Sequence, residues 1–421
     1  MSTRKTPAHK SSPRKIPTPS GARIGLALAG GGPLGAIYEI GALCAIEESI
    51  RGLDLRDCRG YLGVSSGGFM AAGLCNGMSP RELSSVFIEN STPAPDRFDP
   101  NELMRPDWLE LRQRLERLPG LLAAASWQML AQGRAPMSAL EQLGHALPTG
   151  LLSGEALAQQ VHRQFSIKGR SDDFRRLKHR LVLVATDLDS GEAVLFGMPG
   201  WDHVPVSRAV QASAALPGLF PPVLIDGRHY VDGALKKTLH ASVLLDEGAD
   251  LLICVNPLVP YASEASETVS GSGTHIPSLV EGGLPVVLSQ TFRSLIHSRL
   301  ELGMKGYAHS HPNADILLFE PSKQDAELFL ANTFSYSQRR HLAEHAFQST
   351  RRQLLANADA IEAKLARHGL SLDIERLLDP GQHLVADAAH TADAGSRARL
   401  TRQALMRLDH ALSQLEAKYK V

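Results

Sequence analysis

The sequence is poor in cysteine, in aromatic residues and in net charge, and each shortage closes off a class of function. Only four cysteines, Cys44, Cys58, Cys75 and Cys254, occur in 421 residues, and none forms a C-x-x-C pair. They read as buried thiols of a reducing compartment, with no disulfide frame and no metal site. Lys plus Arg and Asp plus Glu stand equal at 44 each. That balance argues against a nucleic-acid partner held by counterion release. The first 23 residues carry six basic side chains and no acidic one, but lack the apolar core of a secretory signal. Residues 1–22 are expected to be a disordered basic tail, with attraction to anionic lipid headgroups as the functional alternative. An uninterrupted apolar run is missing too. Residues 24–46 contain Glu39 as their one charge, yet three consecutive glycines at 30–32 and Pro33 break the stretch. No spanning helix is expected there, and the sequence reads as cytoplasmic.

What remains is a core-forming chain. Hydrophobic residues make up 43% and charged residues 21%, enough for one large α/β domain with appendages, or two domains. Residues 24–29 form a short apolar run that predicts a buried strand. A glycine loop follows over 30–35, then a helix over 36–49, and residues 61–64 predict a second strand. This is a βαβ unit with parallel strands and a right-handed crossover. Its geometry brings the loop after the first strand and the turn after the second to the same edge of the sheet.

That turn is Gly63-Val64-Ser65-Ser66-Gly67, a G-x-S-x-G sequence. At a tight strand-to-helix turn the serine is held in a strained backbone and its hydroxyl is exposed. The alternative is an ordinary glycine-rich turn. The loop Gly30-x-Gly32-x-x-Gly35 is also open to two readings. A dinucleotide fingerprint needs an acid at the end of the second strand, where Val64 and Ser65 stand; Glu47, Glu48 and Asp54 precede that strand. An oxyanion hole needs backbone donors. Gly31, Gly32 and Leu34 from the loop and Ser66 from the turn offer them, whereas Pro33 has no N–H.

Serine also needs a general base. None of the 17 histidines, His179, His203 and His229 included, sits in a small, glycine-marked turn. Asp226-Gly227 between two apolar runs predicts a hairpin. Asp232-Gly233-Ala234 ends the second of those runs. Asp232 is open to two uses: an N-cap, or a base for Ser65 if partial burial lifts its pKa.

The glycine loop, the Gly63–Gly67 elbow and Asp232-Gly233-Ala234, in this order and spacing, resemble the patatin-like phospholipases. Ala185-Thr186-Asp187-Leu188 with Gly191, and Ala212-Ser213-Ala214-Ala215-Leu216-Pro217 leading to Phe220-Pro221-Pro222, resemble the family as well. The likeness covers residues 24–258. It implies a three-layer α/β/α fold around a mainly parallel sheet, and metal- and cofactor-independent hydrolysis of lipid acyl esters by a Ser–Asp dyad. By matching motifs, Ser65 is the implied nucleophile, Asp232 the base and the glycine loop the oxyanion hole. Gly30, Gly35, Gly63, Gly67, Gly233 and Ala234 frame them. One departure stands out. The family usually has Arg or Lys just before the last glycine of the loop, where this chain has Leu34, beside an atypical Pro33. This puts activity and headgroup preference in question. The rival readings are an α/β-hydrolase with a late histidine, a nucleotide-binding protein, and a non-catalytic lipid-binding relative. Asp187 reads as a structural turn cap.

The rest of the chain is less specific. Over 99–150, Leu111, Leu115 and Leu118, then Leu121, Leu122, Trp127, Met129 and Leu130, predict two amphipathic helices, either a core cover or a mobile lid. Residues 263–283 read as an exposed loop, 315–319 as one more strand and 337–368 as one long helix closed by Gly369. Leu405, Leu408, Leu412 and Leu415 have heptad-like spacing and are expected to pack on the body. The expected organisation is a catalytic domain over 23–258, further core elements over 259–335 and a helical C-terminal region over 336–421. The expected partners are a lipid or phospholipid substrate and, peripherally, a membrane.

Overall fold

A computed structural model of the chain describes residues 23–91, 148–236, 239–262, 279–331 and 338–385, with scattered residues between 105 and 127. The basic tail, most of the 99–150 insertion, most of the 263–283 loop and the leucine repeat after 400 lie outside the described residues.

The strands are β1 Ile24–Leu28, β2 Ile50–Arg51, β3 Gly60–Val64, β4 Arg180–Asp187, β5 Ala193–Phe196, β6 Val223–Ile225, β7 Arg228–Asp232, β8 Leu251–Val255, β9 Asp315–Phe319 and β10 Ser371–Leu372. The helices are α1 Gly32–Ser49, α2 Ser66–Cys75, α3 Pro80–Ser84, α4 Gly154–Phe165, α5 Val206–Ser213, α6 Ser242–Asp246, α7 Gly283–Ser310, α8 Ala326–Leu330, α9 Arg339–Ala356, α10 Ala358–Arg367 and α11 Ile374–Leu378. The main sheet runs β6-β7-β4-β3-β1-β8-β9, with β5 paired to β4. From β4 through β9 along this order the neighbours are parallel, whereas β5, β6 and β7 pair antiparallel.

Side chains alternate across the strands, and the sheet is apolar on both faces. Leu26, Leu28, Tyr61, Leu183 and Ile253 pack on one face with α1, α2, α5 and α9. Ala27, Leu62, Val184 and Leu252 pack on the other with α6 and α7. Helices cover both faces, so the architecture has the expected three layers. β9 joins the sheet as predicted for 315–319. All four cysteines are buried and unpaired. Among the described residues no helix is long and apolar enough to cross a membrane.

The Asp226-Gly227 hairpin forms, with Ile225 paired to Arg228 and positive φ at both turn residues (49° and 79°), the signature of a tight two-residue hairpin turn. Helix α1 starts at Gly32 rather than at residue 36, because Pro33 fits the first turn, where a missing N–H is not needed. The long helix expected over 337–368 is two helices. Asn357 separates α9 from α10, its amide donating to the Gln353 carbonyl at 2.9 Å. Gly369 closes the second helix with φ 70°.

Candidate active site

Ser65 lies where β3 turns into α2, and the residue is buried rather than exposed as the elbow predicts, because α2, the glycine loop and Ala234 close around it. Its backbone sits at φ 54°, ψ −123°, which costs an L-residue about 1–3 kcal/mol. Two hydrogen bonds hold it there. The Ser65 N–H donates to Ser213 Oγ at 2.8 Å, and Ser213 Oγ donates to the Val184 carbonyl at 2.6 Å. The elbow is also closed by backbone on backbone. A Cβ on Gly63 would stand 2.4 Å from the Gly67 carbonyl oxygen, and one on Gly67 would stand 2.5 Å from the Leu28 carbonyl. Both are far inside van der Waals contact, so the spacing of small residues around Ser65 is a packing requirement.

Asp232 ends β7, whose register sets it beside Ala185 of β4. Its carboxyl is buried. Oδ1 accepts the Ala234 N–H at 2.8 Å and so caps the short 3-10 turn Gly233–Leu235. The Ser65 side chain lies near enough to this carboxyl to favour its charged form. Burial pushes its pKa up to about 6, and Ser65 and the Ala234 amide pull the other way. The cap and the approach to Ser65 therefore coexist in one side chain. His179 and His203 are held elsewhere, against Asp57 at 3.1 Å and Asp226 at 2.8 Å. Asp187 has the expected structural role. Its Oδ1 accepts from the amides of Asp189 and Ser190, and its Oδ2 accepts from Arg228 at 2.9 Å. That guanidinium holds the Asp187 carboxyl below the usual carboxylate range.

The glycine loop runs against the elbow. A Cβ on Gly30 would stand 2.9 Å from the Ser65 Cβ. The Gly35 N–H is spent on the Gly31 carbonyl at 3.0 Å. Gly32 and Leu34 belong to the first turn of α1, and Ser66 opens α2; helix geometry leaves amides at these positions without an intrahelical acceptor. The ring of Pro257, just past β8, backs Gly31 and Gly35. The Leu34 side chain is buried in the core beneath α1. Among the described residues no group of three or more His, Cys, Asp or Glu side chains could hold a metal ion.

Residues 26–245 match the family model for patatin-like phospholipase, just over half of the 421 residues. The chain belongs to the patatin-like phospholipase family. Similar curated proteins include uncharacterized NTE family proteins of Mycobacterium bovis and Mycobacterium tuberculosis. They are 37% identical over 73 residues, 17% of this chain and 19% of theirs. The chain thus spans about a fifth of the length of these relatives. Among solved structures, VipD from Legionella pneumophila aligns at TM-score 0.36 and 16% identity, over 81% of this chain and 69% of VipD. The type III effector ExoU aligns at TM-score 0.34 and 15% identity, over 96% of this chain and 66% of ExoU.

For a patatin-like phospholipase the loop is unusual, and the structure gives the physical context. Leu34, where the resemblance leads one to expect a basic residue, turns its side chain into the core. Sequence reasoning missed Ser213. It lies within the Ala212–Leu216 stretch that resembles the family, but its bonds to the elbow and to β4 appear only in three dimensions.

Proposed function

We propose that this patatin-like phospholipase is a serine hydrolase of lipid acyl esters. Ser65 is the nucleophile, Asp232 the base, and the amides of Gly31, Gly32, Leu34 and Ser66 the oxyanion donors. The observation that carries this reading is a buried Asp232 carboxyl beside Ser65, lifted by burial to a pKa of about 6. A free carboxylate near pKa 4 is a weak base for serine; one at about 6 is stronger and still ionised at neutral pH.

Ser65 Oγ attacks the ester carbonyl carbon as its proton passes to Asp232. The carbonyl electron pair moves onto oxygen, which the loop amides hold; each such donor is typically worth about 3 kcal/mol in the transition state. The intermediate collapses, the C–O bond to the alcohol breaks, and the alcohol leaves with the proton from Asp232. Water then attacks the acyl-serine and gives its proton to Asp232. The fatty acid departs and Ser65 recovers a proton. Every step uses groups of the chain and water alone.

The four buried thiols fit a reducing compartment, and the protein is read as cytoplasmic. The catalytic unit is taken as residues 23–258, completed by core elements up to 335, with a helical C-terminal region from 336.

A fluorophosphonate probe tests the reading. Wild type is expected to label, and Ser65→Ala to stay unlabelled. Asp232→Asn is expected to fold but to turn over long-chain esters poorly. Full activity in Asp232→Asn would move the base to a histidine.

A further inference from the structure

Helix α7 has an apolar side that the described residues leave exposed. It connects β8 to β9, and Ile296, Leu300 and Tyr307 bury its second half against the sheet. Its first half extends past the sheet. The Gln290 side chain accepts from the Tyr261 amide at 3.1 Å and donates to the Tyr261 carbonyl at 2.7 Å. Arg293 donates to the Val259 carbonyl at 3.4 Å. Val259 and Tyr261 follow the C-terminal end of β8. The parallel register of β8, β1 and β3 makes this the sheet edge that also presents Ser65.

On this overhang Val280, Leu284, Val287, Leu288, Phe292 and Leu295 are exposed, Leu284 by 69% and Leu295 by 50%. Within α7, Leu284, Val287, Leu288, Phe292 and Leu295 form one stripe at helical period, which Phe292 continues at i+4 into the buried Ile296 and Leu300. Residues 282–292 contain no charged side chain. A solvated helix face normally carries charge, and an exposed apolar patch of this kind marks a contact surface. Across the rim, beyond β3, Leu188 after β4 and Leu216 after α5 are exposed as well. Ser65 therefore stands between two apolar flanks. It lies two strand spacings, about 10 Å, from β8.

We propose that the outer face of the α7 overhang docks on a lipid surface and sets the Ser65 rim against it. The proposal rests on the lipid-ester reading above. A second copy of the chain seated along this rim would stand between Ser65 and the acyl chains it must reach, whereas a lipid surface covers the apolar flanks and supplies the ester. The uncharged stretch enters the interfacial region without the desolvation penalty of ionised groups, as in-plane amphipathic helices do.

Flotation with vesicles of phosphatidylcholine and phosphatidylglycerol tests this, using Ser65→Ala protein so that the lipid stays intact. Ser65→Ala is expected to float. Adding Leu288→Glu and Phe292→Glu is expected to lower partitioning about tenfold or more, since each buried side chain of this size is worth at least one factor of ten. Circular dichroism and the unfolding midpoint check the fold. With Ser65 intact, the same pair is expected to lower vesicle hydrolysis relative to hydrolysis of a short soluble ester. In a separate Leu288→Trp variant, tryptophan emission is expected to shift to the blue on vesicles. Absence of flotation in the parent, unchanged flotation in the double variant, or no emission shift would each overturn the proposal. So would a change in molar mass by light scattering with vesicle binding intact, which would assign the face to a second copy. Failure of wild type to label with fluorophosphonate would instead reject the hydrolase reading, and flotation reports independently of it.

Discussion

The amide of Ser65 is bonded to the hydroxyl of Ser213, and that hydroxyl is bonded in turn to β4. One small side chain at the end of α5 thus ties the strained elbow to the neighbouring strand. Ser213→Ala removes the acceptor of the buried Ser65 amide and the donor to the Val184 carbonyl. It is expected to lower stability by about 1–3 kcal/mol, measured by urea unfolding. It is also expected to slow fluorophosphonate labelling of Ser65, because the elbow loses the bond that sets its φ. Labelling at the wild-type rate would limit Ser213 to a stabilising role.

The pH dependence of turnover follows from Asp232. Its pKa of about 6 makes the base available only above that range. Hydrolysis of a soluble ester is expected to rise with pH through about 6 and then level off, and Asp232→Asn is expected to abolish this limb. A limb that persists in Asp232→Asn would belong to another group.

Stability is expected to move in the opposite direction. Burial raises the folded-state pKa of Asp232 above its ordinary value of 3.8. The folded protein therefore holds this proton more tightly than the unfolded chain does. The group's contribution to stability is fully present below pH 4 and is lost as pH rises through about 6. Above that, keeping the carboxylate buried costs on the order of 3 kcal/mol. Asp232→Asn is expected to raise the unfolding midpoint at pH 8 while turnover falls. A lower midpoint would mean that the interactions with Ser65 and Ala234 outweigh burial.

Gly30 offers a test of the loop. An added Cβ would lie 2.9 Å from the Ser65 Cβ and 3.5 Å from the Ala234 Cβ. Gly30→Ala is expected to displace the serine and lower kcat about a hundredfold, the scale set by a misplacement of about 1 Å. Stability is expected to fall by only about 1–3 kcal/mol, the usual range for overpacking. Steady-state kinetics beside thermal unfolding would separate the two effects.

The elbow, the hairpin and the first βαβ unit were legible because each depends on neighbouring residues. A G-x-S-x-G turn needs small flanks, and Asp-Gly suits the positive φ values of a two-residue hairpin. The start of α1 was less legible, since the glycines read as loop. Pro33 was the signal, being favoured in a first helical turn. The break at Asn357 carried no such mark, because the apolar period continues through α9 and α10. In α7 apolar residues face both the sheet and the outside, so pattern alone did not separate core from surface.

By itself the sequence determined the order of strand, loop and helix, the elbow at Ser65 and the tight turn at Asp226, because local backbone sterics select the residues that such turns accept. Only the tertiary structure decided that Asp232 is buried near Ser65, that Ser213 braces the elbow, that Leu34 turns inward and that α7 reaches past the sheet. Those outcomes depend on which distant segments pack together. The pKa of one carboxyl is set by all the atoms that exclude water from it, and these come from elements scattered along the chain.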